Sequence, residues 1–196
     1  MKVLIACEFS GIGREAFTQR GHDAWSCDLL NTEKEGQHIT GDCLGNLKGW
    51  DLIIAHPPCT YLSIVGNAWW NKPGRKELRM EAAQFFLALY NAPCERVCVE
   101  NPVGYMNTHF RKPDQIIQPY QFGHPERKRT CLWLRGLPKL IYTNIVTPEE
   151  PTYIDYTGKK RYFVDRQSPS VHRWKDRSRT FIGIAAAMAE QWGKEL

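Results

Sequence analysis

A cysteine placed directly after two prolines is the residue best suited to chemistry in this sequence. Residues 51–63 read Asp-Leu-Ile-Ile-Ala-His-Pro-Pro-Cys-Thr-Tyr-Leu-Ser. The apolar opening is the pattern of a buried parallel strand. Pro57 and Pro58 cannot donate to a ladder, so the chain must turn out of the sheet there, and Cys59 stands on that turn. Open α/β sheets hold ligands outside the carboxyl ends of their strands. A thiolate at such a place is a nucleophile that can split one hard transfer into easier ones. The plain alternative is a structural cysteine in a proline turn. A second candidate lies at another strand end. Glu95 to Asn101, centred on Arg96-Val97-Cys98-Val99, reads as a strand that closes in Glu100-Asn101-Pro102 and presents a carboxylate beside a proline turn.

Three earlier strand ends carry residues suited to a nucleotide-type cofactor. Lys2 to Phe9 reads as a first buried strand, and Ser10-Gly11-Ile12-Gly13 as a glycine turn leading into a helix over Arg14 to Arg20, closed by Gly21. Glycines there let backbone approach a ligand at a helix start. The third glycine of a dinucleotide fingerprint is missing. Asp23 to Leu29 reads as a second strand, and Asp28 at its end can accept from both hydroxyls of a ribose or serve as an ordinary turn aspartate. His38 to Asp42 is a third strand, and Asp42 can take an adenine amino group or cap a turn.

The remaining elements must position these residues. Arg75 to Asn91 is the clearest helix, with Leu78, Ala82, Phe85, Phe86 and Leu89 as its apolar stripe. Ile116 to Phe122 and Thr130 to Leu134 read as two strands, an antiparallel pair joined through the basic turn Gly123-His124-Pro125-Glu126-Arg127-Lys128-Arg129. That turn suits a phosphate or a polarised carbonyl, or is a solvated tip. Residues 137–178 are polar, basic and interleaved with aromatics, the pattern of a long functional loop or a mini recognition insertion. Arg179 to Trp192 is a closing helix with Phe181, Ile184, Ala185, Met188 and Ala189 facing inward. Trp69 and Trp70 either pack over a core edge or stack on a base.

At 196 residues with 42% hydrophobic content, the chain suits a single α/β domain rather than a disordered segment. No apolar run approaches membrane-spanning length, so no membrane association is expected. Seven cysteines without framework spacing point to reduced thiols in a cytoplasm, and Cys94 and Cys98 are spaced wrongly for a zinc pair, so no metal is assigned. The net charge of +5 is carried late in the chain and suits a phosphate-bearing partner such as DNA or a nucleotide.

Taken in order, these motifs resemble the cytosine carbon-5 DNA methyltransferases that use S-adenosylmethionine. Glu8-Phe9-Ser10-Gly11-Ile12-Gly13 is similar to the family's Phe-x-Gly-x-Gly, Pro58-Cys59 to its Pro-Cys nucleophile with Ser63 at the expected distance, and Glu100-Asn101-Pro102-Val103-Gly104 to its Glu-Asn-Val-x-Gly. The resemblance implies a Rossmann-like class I methyltransferase fold, α/β, a mostly parallel sheet with helices on both faces. It implies methyl transfer to carbon 5 of cytosine in DNA through a covalent cysteine adduct, with S-adenosylhomocysteine as by-product. By the same resemblance Phe9, Ser10, Gly11, Ile12, Gly13, Asp28, Leu29, Asp42 and Pro57 hold the cofactor. Pro58, Ser63, Asn101 and Pro102 contact the substrate, and Cys59 and Glu100 are catalytic. The family's Gln-x-Arg-x-Arg stands here as Glu126-Arg127-Lys128-Arg129-Thr130, so either Arg127 or Arg129 fills its catalytic role. The closing Gly-Asn-x-Val is Gly183-Ile184-Ala185-Ala186. About forty residues between Gly136 and Arg179 replace a large target-recognition domain. That leaves duplex DNA, a single strand or a free pyrimidine nucleotide as substrates, and an altered sulfonium as donor. Amino methylation and a non-catalytic nucleic-acid-binding role are the competing readings.

Overall fold

The computed structural model describes residues 1–64, 71–162, 175 and 178–194. Trp69, Trp70, Phe163, Arg166, Arg173, Trp174 and Arg177 lie outside the described residues. A seven-stranded sheet organises the chain. Its strands are β1 Lys2–Ala6, β2 Asp23–Asp28, β3 His38–Thr40, β4 Leu52–Ala55, β5 Arg96–Pro102, β6 Gln115–Ile117 and β7 Thr130–Arg135. Their order is β3-β2-β1-β4-β5-β7-β6. All neighbouring pairs are parallel except those made by β7, which runs against both β5 and β6. This is an α/β, Rossmann-like sheet whose parallel strands end along one edge. The central strands are buried on both faces, which is why Val3 to Ala6 and Leu52 to Ala55 are unbroken apolar runs.

Helices cover both faces. Helix α1, Ile12–Thr18, and helix α4, Ile182–Trp192, pack with Val3, Ile5, Ile54 and Leu132 through Phe17, Met188 and Trp192. Helix α2, Arg75–Tyr90, covers the other face through Ala83, Phe86 and Leu89, with Phe86 edge-on to Trp133 at 5.0 Å. Burying a side chain of that size contributes about 1.5–3 kcal/mol. A short helix α3, Met106–His109, follows β5, and a hairpin of β8 Tyr153–Ile154 and β9 Lys160–Arg161 lies within the stretch expected to be a loop.

Three elements differ from expectation. The strand expected over Ile116 to Phe122 stops at Ile117, and Pro119–Gln121 form a 3-10 turn, because Pro119 has no N–H for a ladder. Helix α2 is rotated relative to its expected stripe. Leu78 is 39% exposed, whereas Arg79 is buried because its guanidinium reaches the Cys59 loop. Helix α4 starts at Ile182, three residues late. Its entry is packed so closely that a Cβ on Gly183 would lie 1.8 Å from the Phe122 carbonyl oxygen. Among the described residues no helix is long and apolar enough to cross a membrane.

Candidate active site

The first corner of the site is the carboxyl edge of β1, β2 and β3. After β1, Cys7 takes a left-handed φ of 59° and Gly11 one of 72°, so the chain folds back under the start of α1. Glu8 is thereby buried, and its carboxylate accepts from the N–H groups of Gly13 at 2.5 Å and Arg14 at 3.2 Å and from the Ser10 hydroxyl at 3.2 Å. A helix N-terminus normally invites an anion. Here the chain's own carboxylate takes that place, so the turn suits a ligand that is neutral or cationic at this point, not a pyrophosphate. Arg14 is 2% exposed and fully engaged. It donates to Ser26 Oγ at 3.0 Å, Thr32 Oγ1 at 3.2 Å and the carbonyls of Lys34 at 2.7 Å and Glu35 at 2.9 Å, which fastens the loop between β2 and β3 to α1.

Asp28 ends β2. Its Oδ1 accepts from the Leu30 N–H at 3.0 Å, and burial pushes its carboxyl above the usual value. Leu29 beside it is 76% exposed. Asp42 accepts from the Leu44 N–H at 3.0 Å and caps the turn Cys43–Asn46, the simple capping role that its position also allowed. That turn is tied to β1 by the Cys7 N–H, which donates to Cys43 Sγ at 3.3 Å. Two acids alternating with exposed Leu29 and Leu44 present hydrogen-bond acceptors beside apolar faces, an arrangement compatible with a ligand bearing hydroxyl and amine donors.

The second corner joins the turns after β4 and β5. These strands pair in parallel with Ala55 opposite Val99, so both chains leave the sheet side by side. His56 Nδ1 lies 2.8 Å from Glu100 Oε2, with side chains only 8% and 19% exposed. Burial alone pushes the Glu100 carboxyl up. The hydrogen bond and charge of His56, with the charge of Lys128, outweigh it and hold the carboxyl below its usual range. Asn101 is 2% exposed; its Nδ2 donates to the Pro57 carbonyl at 2.9 Å, while its Oδ1 has no hydrogen-bond partner. The carbonyl of Cys59 accepts from the N–H groups of Leu62 and Ser63 at 3.1 and 2.9 Å, closing a tight turn that leaves Cys59 exposed. Ser63 then bridges Gly104, and the Tyr105 N–H donates to the Leu62 carbonyl at 2.7 Å. The approach is so close that a Cβ on Gly104 would lie 1.9 Å from that carbonyl oxygen. From α2, Arg75 donates to the Thr60 carbonyl at 2.8 Å and Arg79 to that of Tyr61 at 2.9 Å.

The basic turn borders this corner because Thr130 pairs with Pro102. Arg127 is directed away from it: its Nε donates to the Glu149 carbonyl at 3.2 Å, and its guanidinium lies over Tyr120 and Tyr162 at 5.7 and 5.4 Å. Lys128 is the cation whose charge acts on Glu100. Arg129 is exposed, one residue before β7. His124 caps α4, its Nε2 accepting from the Gly183 N–H at 2.9 Å.

No family model matches this chain, and no curated protein does. Among solved structures it is similar to the Entamoeba histolytica methyltransferase EhMeth, with 17% identity and a TM-score of 0.45. The match covers 74% of this chain, and the chain spans 57% of that protein's length.

The structure thus gathers Pro57, Pro58, Cys59, Ser63, Glu100, Asn101 and Pro102 into one corner, with the turn Phe9 to Gly13, Asp28, Leu29 and Asp42 along the same sheet edge. Phe9 is 6% exposed beneath Arg179 and Lys175, whose cationic groups lie 6.0 and 5.7 Å from its ring. Ser10 is likewise spent inside the turn, where its hydroxyl also accepts from the Ile12 N–H at 3.3 Å. Arg127 is engaged with Glu149 and Arg129 is exposed just before β7; the cation that acts on Glu100 is Lys128, the residue in register with the first arginine of Gln-x-Arg-x-Arg when Glu126 stands for the glutamine. Sequence reasoning also missed His56, Glu8, Arg14 and Arg79. The one available signal was Glu8 itself, an acid five residues before Gly13 at a helix start.

Proposed function

We propose that this chain transfers a methyl group from S-adenosylmethionine to carbon 5 of a cytosine in DNA, through a covalent adduct at Cys59. The observation that carries the reading is the locking of the Cys59 turn onto the Glu100–Gly104 segment, by Asn101 to Pro57 and by Leu62–Ser63 to Gly104–Tyr105. Such a lock holds a nucleophile and a base-recognising carboxylate at one fixed separation, which is what lowers the entropic part of a barrier.

S-adenosylmethionine, when bound, supplies an electrophilic methyl group. Asp28 would accept from its ribose hydroxyls, Asp42 would face the adenine, and Leu29 would pack on the ring, while Glu8 keeps phosphate off the start of α1. Carbon 5 of cytosine is a weak nucleophile until carbon 6 carries a thiolate. Cys59 provides that sulfur from the exposed tip of its turn. Glu100 accepts from the exocyclic amine and presents a proton to ring nitrogen 3, which offsets the charge created by sulfur addition. Lys128 stabilises the Glu100 carboxylate in the resting state. A target inside a duplex must be flipped out of the stack. Lys139, Lys159 and Lys160 are exposed along the 137–178 stretch, which suits it to the phosphate backbone. None of the seven cysteines forms a disulfide, which fits a reducing compartment such as the cytoplasm.

The test is incubation with S-adenosylmethionine and an oligodeoxynucleotide carrying 5-fluorocytosine, read by intact mass. The wild-type chain is expected to trap a covalent complex, and Cys59→Ala is expected to trap none. A complex of equal yield from Cys59→Ala, or methyl found on the exocyclic nitrogen of digested product, overturns the reading.

A further inference from the structure

Glu100 faces two demands that conflict. To hold cytosine it must carry a proton toward ring nitrogen 3, which is an acceptor, yet its surroundings favour the bare carboxylate. A proton must therefore reach Glu100 as sulfur adds to the ring. We propose that His56 is the positioning residue that supplies this proton, handing it from Nδ1 to Glu100 Oε2 as Glu100 passes its own to nitrogen 3. The assignment rests on the methyl-transfer reading above and adds to it a proton source.

Geometry places His56 for this role. Its backbone N–H donates to the Ala6 carbonyl at 3.0 Å, so it continues the β1–β4 ladder one residue beyond the strand and its imidazole is carried on rigid backbone. Nδ1 is 2.8 Å from Oε2, within proton-transfer reach, and the pair is shielded from bulk solvent. The other titratable groups around Glu100 are poorly suited. From the basic turn, Lys128 supplies charge and would lose it on giving up a proton. On β5, Cys98 is a fully buried thiol pushed up by burial, and on β7 Cys131 is pushed up likewise. Elsewhere along the sheet edge, Glu8 is engaged with the Gly13 and Arg14 amides and His124 with the Gly183 N–H. Only an imidazole has an ordinary titration range close to neutral.

The step balances. The Cys59 thiolate forms its bond to carbon 6, the π electrons move through carbons 5 and 4 onto nitrogen 3, and nitrogen 3 takes the Glu100 proton while His56 reprotonates Glu100. Carbon 5, now electron-rich, forms a bond to an electrophile: the donor's methyl as its bond to the sulfonium sulfur breaks, or a solvent deuteron where no donor is present. The original carbon-5 proton then goes to solvent, its electrons restore the ring double bond as the Cys59 sulfur leaves as thiolate, and nitrogen 3 returns its proton to Glu100 and through it to His56.

The experiment follows exchange of the carbon-5 hydrogen of cytosine with solvent deuterium, without donor, from pH 5.5 to 8.5. This exchange needs sulfur addition, deuteration of carbon 5 from solvent and loss of its original proton as the sulfur leaves, but no methyl donor. His56→Asn keeps a side-chain donor toward Glu100 but no transferable proton; His56→Ala keeps neither. At pH 8 His56→Asn is expected to be slower than wild type by about 100-fold, the scale of a lost proton-transfer partner. Relative to wild type, which loses thiolate to the same extent, its rate should recover on acidification, as a carboxyl protonated by solvent alone requires, so that the gap narrows toward pH 5.5. A His56→Asn rate close to wild type at every pH, or a deficit that does not change with pH, overturns the assignment and leaves His56 as a hydrogen-bond donor only. Because the slope with pH decides and not the absolute rate, a partly folded variant still gives an answer. Absence of exchange and of the 5-fluorocytosine complex in the wild type instead overturns methyl transfer itself, and this assignment with it.

Discussion

Asn101 donates across 2.9 Å to the carbonyl of Pro57, and this one bond ties the turn that carries Cys59 to the strand that carries Glu100. Both partners are buried, so removing the donor leaves the Pro57 carbonyl unpaired. Asn101→Ala is expected to cost about 1–3 kcal/mol in urea unfolding. The loss of methyl transfer should be larger than that loss of stability explains, because the nucleophile is no longer held at a set distance from Glu100. Equal adduct rates for variant and wild type at pH 7 would contradict this.

Gly104 tests the same lock by overcrowding. A Cβ at 1.9 Å from the Leu62 carbonyl oxygen must push the two turns apart. Gly104→Ala is expected to destabilise by about 1–3 kcal/mol or more and to slow trapping of 5-fluorocytosine sharply, with donor affinity little changed. Calorimetry with S-adenosylmethionine separates the two effects, since the residues proposed for the donor, Pro57 apart, lie at the other corner.

Arg79 lies beneath the Cys59 loop on α2, and its charge is costly to bury: desolvation first, then the neighbouring charge of Arg75, lowers its pKa. It persists there by holding the Tyr61 carbonyl and lying over the Tyr105 ring at 5.2 Å. Arg79→Met keeps the bulk and removes the donor. A stability loss of about 1–3 kcal/mol is expected, with faster hydrogen exchange at Leu62 and Ser63, whose N–H groups close the turn.

Asp28 is expected to make donor binding pH-dependent. Its carboxyl is raised above the usual value near about 3.9, chiefly by burial, and only the ionised form accepts from both ribose hydroxyls. Affinity for S-adenosylmethionine should therefore fall as pH drops through that raised value, sooner than for an ordinary aspartate. Asp28→Asn should remove the pH dependence and weaken binding by about ten- to 100-fold, as read by calorimetry between pH 4.5 and 7.5.

Acid stability should report Glu100 and Asp114. Both sit in burial that pushes a carboxyl up, and in both this is outweighed: by His56 and Lys128 at Glu100, and at Asp114 by Arg111 at 2.7 Å and the Leu134 N–H at 2.7 Å. A carboxyl held lower in the folded chain than in the unfolded one stabilises the fold at pH values above the ordinary carboxylate range. That contribution disappears as pH falls through the folded-state values, below about 4. Asp114→Asn is expected to lower the urea midpoint at pH 7 and to leave it nearly unchanged at pH 3. An equal loss at both values would show that packing, not charge, is responsible.

The features that depend on short stretches of chain were legible in the sequence. Val3 to Ala6 and Leu52 to Ala55 announce buried parallel strands because such strands need apolar residues on both faces. Pro57 and Pro58 must end β4, and Glu100 must stand near the end of β5, so Cys59 and Glu100 both belong to the sheet's ligand edge. Tertiary structure alone decided what meets them there. The parallel register that sets Ala55 against Val99 brings His56 to Glu100, 44 positions away. The antiparallel entry of β7 beside Pro102 borders this corner with the basic turn, where Lys128 acts on Glu100 while Arg127 turns to Glu149. Nothing in the sequence singles out Arg14 or Arg79, yet each is buried, because a guanidinium can reach carbonyls 18 or more residues distant and replace its water with them. Strand and turn chemistry is local and survives in one dimension. Pairing between long polar side chains is set by register and reach, which exist only once the sheet has formed.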